Sequence, residues 1–228
     1  VSICLASEGQ TMKIKLLVLL ATGAVASGAL TACAPILAGG VVAGATTVAT
    51  DRRTTGTQVN DQVMESRIEW EIGQKIKSDD MHLTVTCYNG KVLLTGEVLT
   101  QEEKETAGRV ARSSLEVSQV INELAVQVPA SLSQRMKDSS LAASVRSRII
   151  GTSNATLNQM KVTVDRGIVY LMGLVTEEEG QAAAATAAKT SGVKRVVKVF
   201  EYQTAAEINK RLEALKVENP NNTDKDQQ

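Results

Sequence analysis

Aromatic residues are nearly missing from this chain: one Trp, three Tyr and one Phe in 228 residues. So few rings rule out base-stacking platforms for single-stranded nucleic acid. A surplus of either charge is missing as well, with 25 basic and 25 acidic residues. A general nucleic-acid binder would show a basic excess. The three cysteines, Cys4, Cys33 and Cys87, have neither zinc-like spacing nor the number a disulfide framework needs. His82 is the only histidine, and no Ser-His-Asp set, metal cluster, phosphate loop or dinucleotide fingerprint accompanies it. Glu177, Glu178 and Glu179 are consecutive, so a helix points them in different directions and they do not form a pair of catalytic carboxylates. These absences point to a binding or scaffolding protein that needs no cofactor or metal, with His82 a surface residue at a strand entrance.

Long apolar runs are also scarce. The longest begins after Met12-Lys13-Ile14-Lys15, continues from Leu16 to Ala26, and ends in small residues at Leu30-Thr31-Ala32-Cys33. It is too short to span a bilayer, and Thr22, Gly23, Ser27 and Gly28 interrupt it. Two lysines, an apolar core and small residues before a cut are the layout of a secretory signal. Residues 1–11 lack that logic, which favours Met12 as the start and would remove Cys4. The stretch ending on Cys33 resembles a bacterial lipobox. That resemblance implies diacylglycerol on Cys33, cleavage before it and N-acylation of the new terminus. Three chains hold far more firmly than a single myristoyl group, at about 0.8 kcal/mol per buried CH₂. Ala34 stands where an aspartate signals inner-membrane retention, so the resemblance implies the periplasmic leaflet of the outer membrane. Processing would leave 23 basic and 24 acidic residues, and Cys87 would have no partner, as a small buried residue on a strand.

The rest of the chain is a duplication. Met64, Ile68 and Ile72 recur 77 positions later as Leu141, Val145 and Ile149. Leu83, Val85, Gly90, Val92, Leu94, Gly96 and Val98 recur at the same offset as Met160, Val162, Gly167, Val169, Leu171, Gly173 and Val175. One extra residue in the first copy then makes the offset 76, linking Thr100, Ala107, Ala111, Val117, Val120 and Leu124 to Thr176, Ala183, Ala187, Val193, Val196 and Phe200.

Each copy reads as helix, strand, strand, helix, strand. Apolar residues at i, i+4 and i+8 give the first helix a core stripe. Leu83 to Tyr88 and Lys91 to Glu97 alternate as half-buried strands. Asn89-Gly90 between them is a hairpin turn, because both residues tolerate positive φ; Asp165-Arg166-Gly167 is a looser version. Thr100-Gln101-Glu102-Glu103 and Thr176-Glu177-Glu178-Glu179 fit capping boxes that open the second helices. The expected class is α+β: two αββαβ domains at 61–128 and 138–203, each a small mixed three-stranded sheet packed on two helices. Residues 33–60 are expected as a lipidated, flexible tether, although Gly40 to Val48 could be a strand. Residues 129–137 are expected as the linker and 218–228 as a disordered tail. Ala205 to Val217 forms an amphipathic helix with Ile208, Leu212 and Leu215 on one face, to pack on the second domain or to meet a partner helix.

The hairpin with Gly90-Lys91-Val92-Leu93-Leu94-Thr95-Gly96, the capped helix and the closing strand resemble a BON domain. Two in tandem behind a lipobox are similar to the division- and outer-membrane-stress-associated lipid-binding lipoproteins. Asp51-Arg52-Arg53-Thr54-Thr55-Gly56, Val169-Tyr170-Leu171-Met172-Gly173-Leu174-Val175-Thr176 and Gly192-Val193-Lys194-Arg195-Val196 carry the likeness most closely.

Charge separates the two copies. Residues 60–128 hold seven basic and twelve acidic side chains, a net of −5, whereas residues 138–203 hold eight and six, a net of +2. An anionic bilayer attracts each basic residue near its surface by about 1 kcal/mol. Charge alone supports lipid contact by the second copy and an ordinary solvated surface equally. The resemblance favours contact with anionic phospholipid, phosphatidylglycerol or cardiolipin, through the first helix of the second domain, expected at Asp138 to Ile150. It implies support of outer-membrane integrity, with a role at the division site and envelope or division proteins as further partners. The side chains this singles out are Ser140, Leu141, Ser144, Arg146, Ser147, Arg148 and Ile150, with Leu141 turned to the core. Relatives carry a tryptophan at Ser140, so an interfacial anchor is missing there. Trp70 lies about 200° round its helix from Ile68 at 100° per residue. It could compensate, or pack against the other domain. The competing expectation is an interaction scaffold whose domains bind envelope proteins.

Overall fold

A computed structural model describes residues 51–78, 81–150 and 159–218, all within one compact unit, Thr46–Gln228. Helix α1 (Thr55–Lys75) precedes the hairpin β1 (His82–Tyr88) and β2 (Lys91–Val98). Helix α2 (Gln101–Ser113) then returns the chain to an edge strand broken into β3 (Gln119–Asn122) and β4 (Ala125–Val126). The second copy follows as α3 (Leu132–Ile150), β5 (Met160–Asp165), β6 (Ile168–Val175), α4 (Glu177–Ala188) and β7 (Arg195–Tyr202), before a last helix α5 (Ala205–Glu218). In each copy the hairpin is antiparallel and the edge strand runs parallel to the hairpin's second strand. The α+β architecture is the one the repeat implied.

Period-two alternation along the strands divides the residues between two layers. Val92, Leu94 and Val98 of β2 pack under α1 and α2 with Met64, Ile68, Ile72, Ala107 and Ala111. Val169, Leu171 and Val175 of β6 do the same beneath α3 and α4, with Val145, Ile149, Ala183 and Ala187. The alternate residues face the other way. Tyr88 and Leu93 of the first sheet meet Tyr170, Met172, Leu174 and Val199 of the second in a third buried cluster. The two sheets are therefore back to back, and the helix layers form opposite outer faces. This explains why β2 and β6 are buried on both sides although each domain covers only one face with helices.

The hairpin turns share one device. Asn89 and Gly90 sit at φ 51° and 76°, and Arg166 and Gly167 at 49° and 78°. The looser turn expected in the second copy is thus the same left-handed pair. Each is held by a buried carboxylate from the preceding helix. Asp61 accepts the amides of Asn89 (2.7 Å) and Gly90 (3.0 Å), and Asp138 accepts those of Arg166 and Gly167 (2.9 Å each). Asp61 and Asp138 are also 77 apart. Both capping boxes form as expected at Thr100 and Thr176.

Two spans and one residue differ from the expectations. Asp51, Arg52 and Arg53 are buried and α1 starts at Thr55, so the fold takes in the last ten residues of the expected tether. Helix α3 begins at Leu132, inside the expected linker, because Ser131 caps it: its carbonyl accepts Arg135 N and its hydroxyl accepts Gln134 N. His82 is half-buried rather than on the surface, with Nδ1 3.4 Å from the fully buried Glu97. Helix α5 contributes Ile208 as its buried side chain.

The seam between the domains is also polar. Arg166 reaches Glu97 across it (3.2 Å), Tyr88 donates to the Gln159 carbonyl (2.9 Å), and Lys161 pairs with Glu65 (2.6 Å). The Asp51–Arg53 segment straps both domains. Arg52 forks onto both oxygens of Glu179 (2.7 Å each) and donates to the Leu174 carbonyl (2.8 Å). Arg53 binds Asp51 and Asp61 and lies 3.9 Å over the Tyr88 ring.

Candidate functional site

Helix α3 has two different faces. Asp138, Ala142, Val145 and Ile149 are buried at helical spacing, and Leu141 packs partly against the same core. The Asp138 carboxylate, bonded to the hairpin turn, sets the helix against β5 and β6. Arg146 donates to the Val162 carbonyl (2.6 Å) and fixes the helix further along.

The opposite face is open to solvent. Leu132, Met136 and Ile150 are 66%, 64% and 65% exposed. Arg135, Lys137 and Arg148 are exposed as well, and the one acidic residue of the helix, Asp138, is buried. The face therefore presents cations and large apolar groups with no exposed carboxylate. Long basic side chains with apolar stems suit the boundary between headgroups and acyl chains.

Beside the first half of α3 runs a groove of about 810 Å³. Leu132, Met136, Ser140, Leu141 and Ser144 line it from the helix, and Gly167 and the Ser191-Gly192-Lys194 loop line it from the other side. Ser140 and Ser144 donate their hydroxyls to the carbonyls of Met136 and Ser140.

Of the residues singled out from sequence, Ser140, Leu141 and Ser144 come together in this groove. Arg146, Ser147, Arg148 and Ile150 lie on the following two turns, exposed and outside it. Trp70 is neither near them nor in the domain seam: it is 65% exposed on α1, in the other helix layer. Packing of Trp70 against the second domain is thus not what the structure shows. Cys33 lies outside the described residues. Sequence reasoning missed Leu132, Arg135, Met136 and Lys137 because they fell in the expected linker. The i, i+4 spacing of Leu132, Met136, Ser140 and Ser144 was the available signal. Among the described residues, no group of three or more His, Cys, Asp or Glu is placed to hold a metal ion. No helix among them is long and apolar enough to cross a membrane.

Residues 61–128 and 137–204 each match the BON domain family. Over 171 residues the chain is 40% identical to the outer membrane lipoprotein DolP of Haemophilus influenzae, covering 74% of this chain and 87% of that protein. It is 31% identical over 153 residues to the 21 kDa hemolysin of Actinobacillus pleuropneumoniae, covering 67% and 79%. An uncharacterized protein of Anaplasma centrale is 31% identical over 117 residues, half of this chain and 78% of that one.

Proposed function

This chain belongs to the BON-domain family of outer-membrane lipoproteins, and we propose that it recognises anionic phospholipid in the membrane that anchors it. Acyl groups on Cys33 hold it at the periplasmic leaflet, and the exposed face of α3 makes the second contact. Binding is electrostatic with shallow insertion, no reaction is catalysed, and the outcome is support of outer-membrane integrity.

One observation carries this reading. Three exposed cations, Arg135, Lys137 and Arg148, and three exposed large apolar side chains share α3, while its only carboxylate is turned inward. Near an anionic surface each cation contributes about 1 kcal/mol. That is weak alone, but the lipid anchor keeps the domain close to the surface, so modest contacts suffice. The test is co-sedimentation of the chain starting at residue 34 with phosphatidylglycerol or cardiolipin vesicles. Both cores and the seam between them close within residues 51–218, so that chain keeps the fold. Arg135→Glu with Lys137→Glu is expected to abolish co-sedimentation. Equal binding by wild type and variant would remove α3 from the function.

A second reading, an interaction scaffold for envelope proteins, is favoured by α1. Val59, Val63 and Trp70 form an exposed stripe there, on the side of the helix away from Met64, Ile68 and Ile72. With the helix layers on opposite outer faces, a planar membrane at α3 leaves this stripe open to other proteins. Crosslinks from position 63 that resist high salt and disappear in Trp70→Glu would support it.

A further inference from the structure

Glu97 is the anomaly of the domain seam. It is fully buried, yet neither of its oxygens accepts a well-aligned hydrogen bond. Other buried carboxylates are better served: Asp61 and Asp138 each accept two backbone amides, and Asp165 accepts that of Gly96 at 3.3 Å. Glu97 has charge around it instead, with Arg166 Nε 3.2 Å from one oxygen and His82 Nδ1 3.4 Å from the other. The repeat sharpens the contrast. At the offset of 77, His82 and Glu97 correspond to Gln159 and Leu174. Leu174 fills its place in the seam with apolar surface, so the fold does not require an acid there. A buried ion pair is often less stable than well-packed apolar residues of similar volume, and a switch is among its best-attested uses.

The charges around Glu97 do not balance. The guanidinium of Arg166 is shared, since it also lies 3.4 Å from Asp165. Two carboxylates thus meet one guanidinium, and the set is one cation short while His82 is neutral. Glu123 and Arg195 pair with each other on the rim (3.2 Å), and β4 places the uncharged Ala125 beside Glu97. Ahead of β1, Lys77 is exposed, and Asp79 and Asp80 lie outside the described residues. The His82 side chain is 30% exposed, so its proton exchanges with water, while its Nδ1 is buried against Glu97. We infer that His82 and Glu97 form a proton-dependent lock on the seam between the two domains. Closing the seam takes Glu97 and Asp165 out of water with Arg166 alone to offset them. A net negative charge opposes that burial, and a proton on His82 removes it. A proton held more firmly in the closed seam adds stability below about pH 6.5 and loses it as the pH rises. With the proton bound, the two outer helix layers are held as one body; without it, the domains move more easily against each other.

The test is denaturant unfolding of the chain starting at residue 34 at about pH 5.5 and about pH 8, on either side of the ordinary histidine range. His82→Gln places at the half-buried position the residue that the second copy carries there, so the fold is kept. It should lower the folding equilibrium constant about tenfold at the acid pH and leave it unchanged at the alkaline one. Tenfold is the lower end for a hydrogen bond to a charged group, as suits a side chain in partial contact with water. In a Glu97→Gln background the same substitution should have no pH-dependent effect. A local readout is hydrogen exchange of the Gly96 amide, which donates to Asp165 across the seam. Corrected for its intrinsic rate, it should be more protected at the acid pH in the wild type and equally protected at both in His82→Gln. An effect of His82→Gln that is equal at both pH values, or Gly96 protection that ignores pH, overturns the lock. So does a pH-dependent effect that survives Glu97→Gln, which would assign the proton's influence to Asp79, Asp80 or Asp165.

Discussion

The strap at Asp51–Arg53 makes a strong energetic demand on the structure. Arg52 is 5% exposed, and its three hydrogen bonds all run to the second domain: two to Glu179 and one to the Leu174 carbonyl. Replacing it with methionine keeps the apolar stem and removes the guanidinium. Breaking a buried pair from one side costs about 3–5 kcal/mol. Glu179 is not sealed, since its side chain is 19% exposed and it keeps the amide of Thr176 at 2.8 Å. The lower end, about 3 kcal/mol for Arg52→Met, is therefore expected. Combined with Glu179→Gln in a double-mutant cycle, the coupling should be about 2–3 kcal/mol, against about 0.2–1 kcal/mol for an exposed pair.

The same pair fixes a pH dependence. Burial pushes the Glu179 carboxyl up, but Arg52 and the Thr176 amide and hydroxyl outweigh it and hold the group below its usual value. A carboxyl depressed in the folded state contributes stability above its unfolded pKa and loses it as the pH falls through the folded one. The gap between wild type and Arg52→Met should thus be full above about pH 5 and shrink below about pH 4. Denaturant unfolding of the chain starting at residue 34, followed by circular dichroism across that range, measures both effects. A coupling below about 0.5 kcal/mol at pH 7 would show that the strap is open in solution and that the domains do not depend on it.

Glu97 poses the same question inside the seam, where its carboxylate is fully buried between His82 and Arg166. Arg166→Met should cost about 3–5 kcal/mol, and adding Glu97→Leu should recover most of it, because an apolar pair no longer buries an uncompensated charge; denaturation midpoints of the three proteins check this. Cys87 is fully buried in the first core, and burial, reinforced by Glu65 and Asp61, pushes its thiol up to about 12. It should resist a thiol reagent at pH 8 for hours and react at once in denaturant; reaction within seconds in the native protein would mean the first core opens readily.

The repeat was legible because a buried helix stripe and a two-sided strand leave periodic marks: Met64, Ile68 and Ile72 and their counterparts face the cores as their spacing implied. The capping boxes were legible for a similar reason, since the Thr-to-Glu contact is local. Asp61 and Asp138 shared the same offset, yet their role needed the hairpin beside them, 28 and 29 residues away. The strap was hidden more deeply. A polar Asp-Arg-Arg after a run of small residues reads as solvated chain, and the carboxylate that pairs with the buried Arg52 stands 127 positions on. The start of α3 was missed because its first turns face water on most sides and carry no core stripe. Trp70 shows the opposite limit: its position on the helix was readable, but not whether the other domain would cover it.

The central claim is that the exposed face of α3 reads anionic phospholipid. It is tested most directly by co-sedimenting the chain starting at residue 34 with phosphatidylglycerol vesicles and with phosphatidylcholine vesicles, in parallel with Arg135→Glu, Lys137→Glu. The account predicts binding to phosphatidylglycerol alone, weakened by salt and lost in the variant. Binding to neither lipid, or equal binding by variant and wild type, would contradict it.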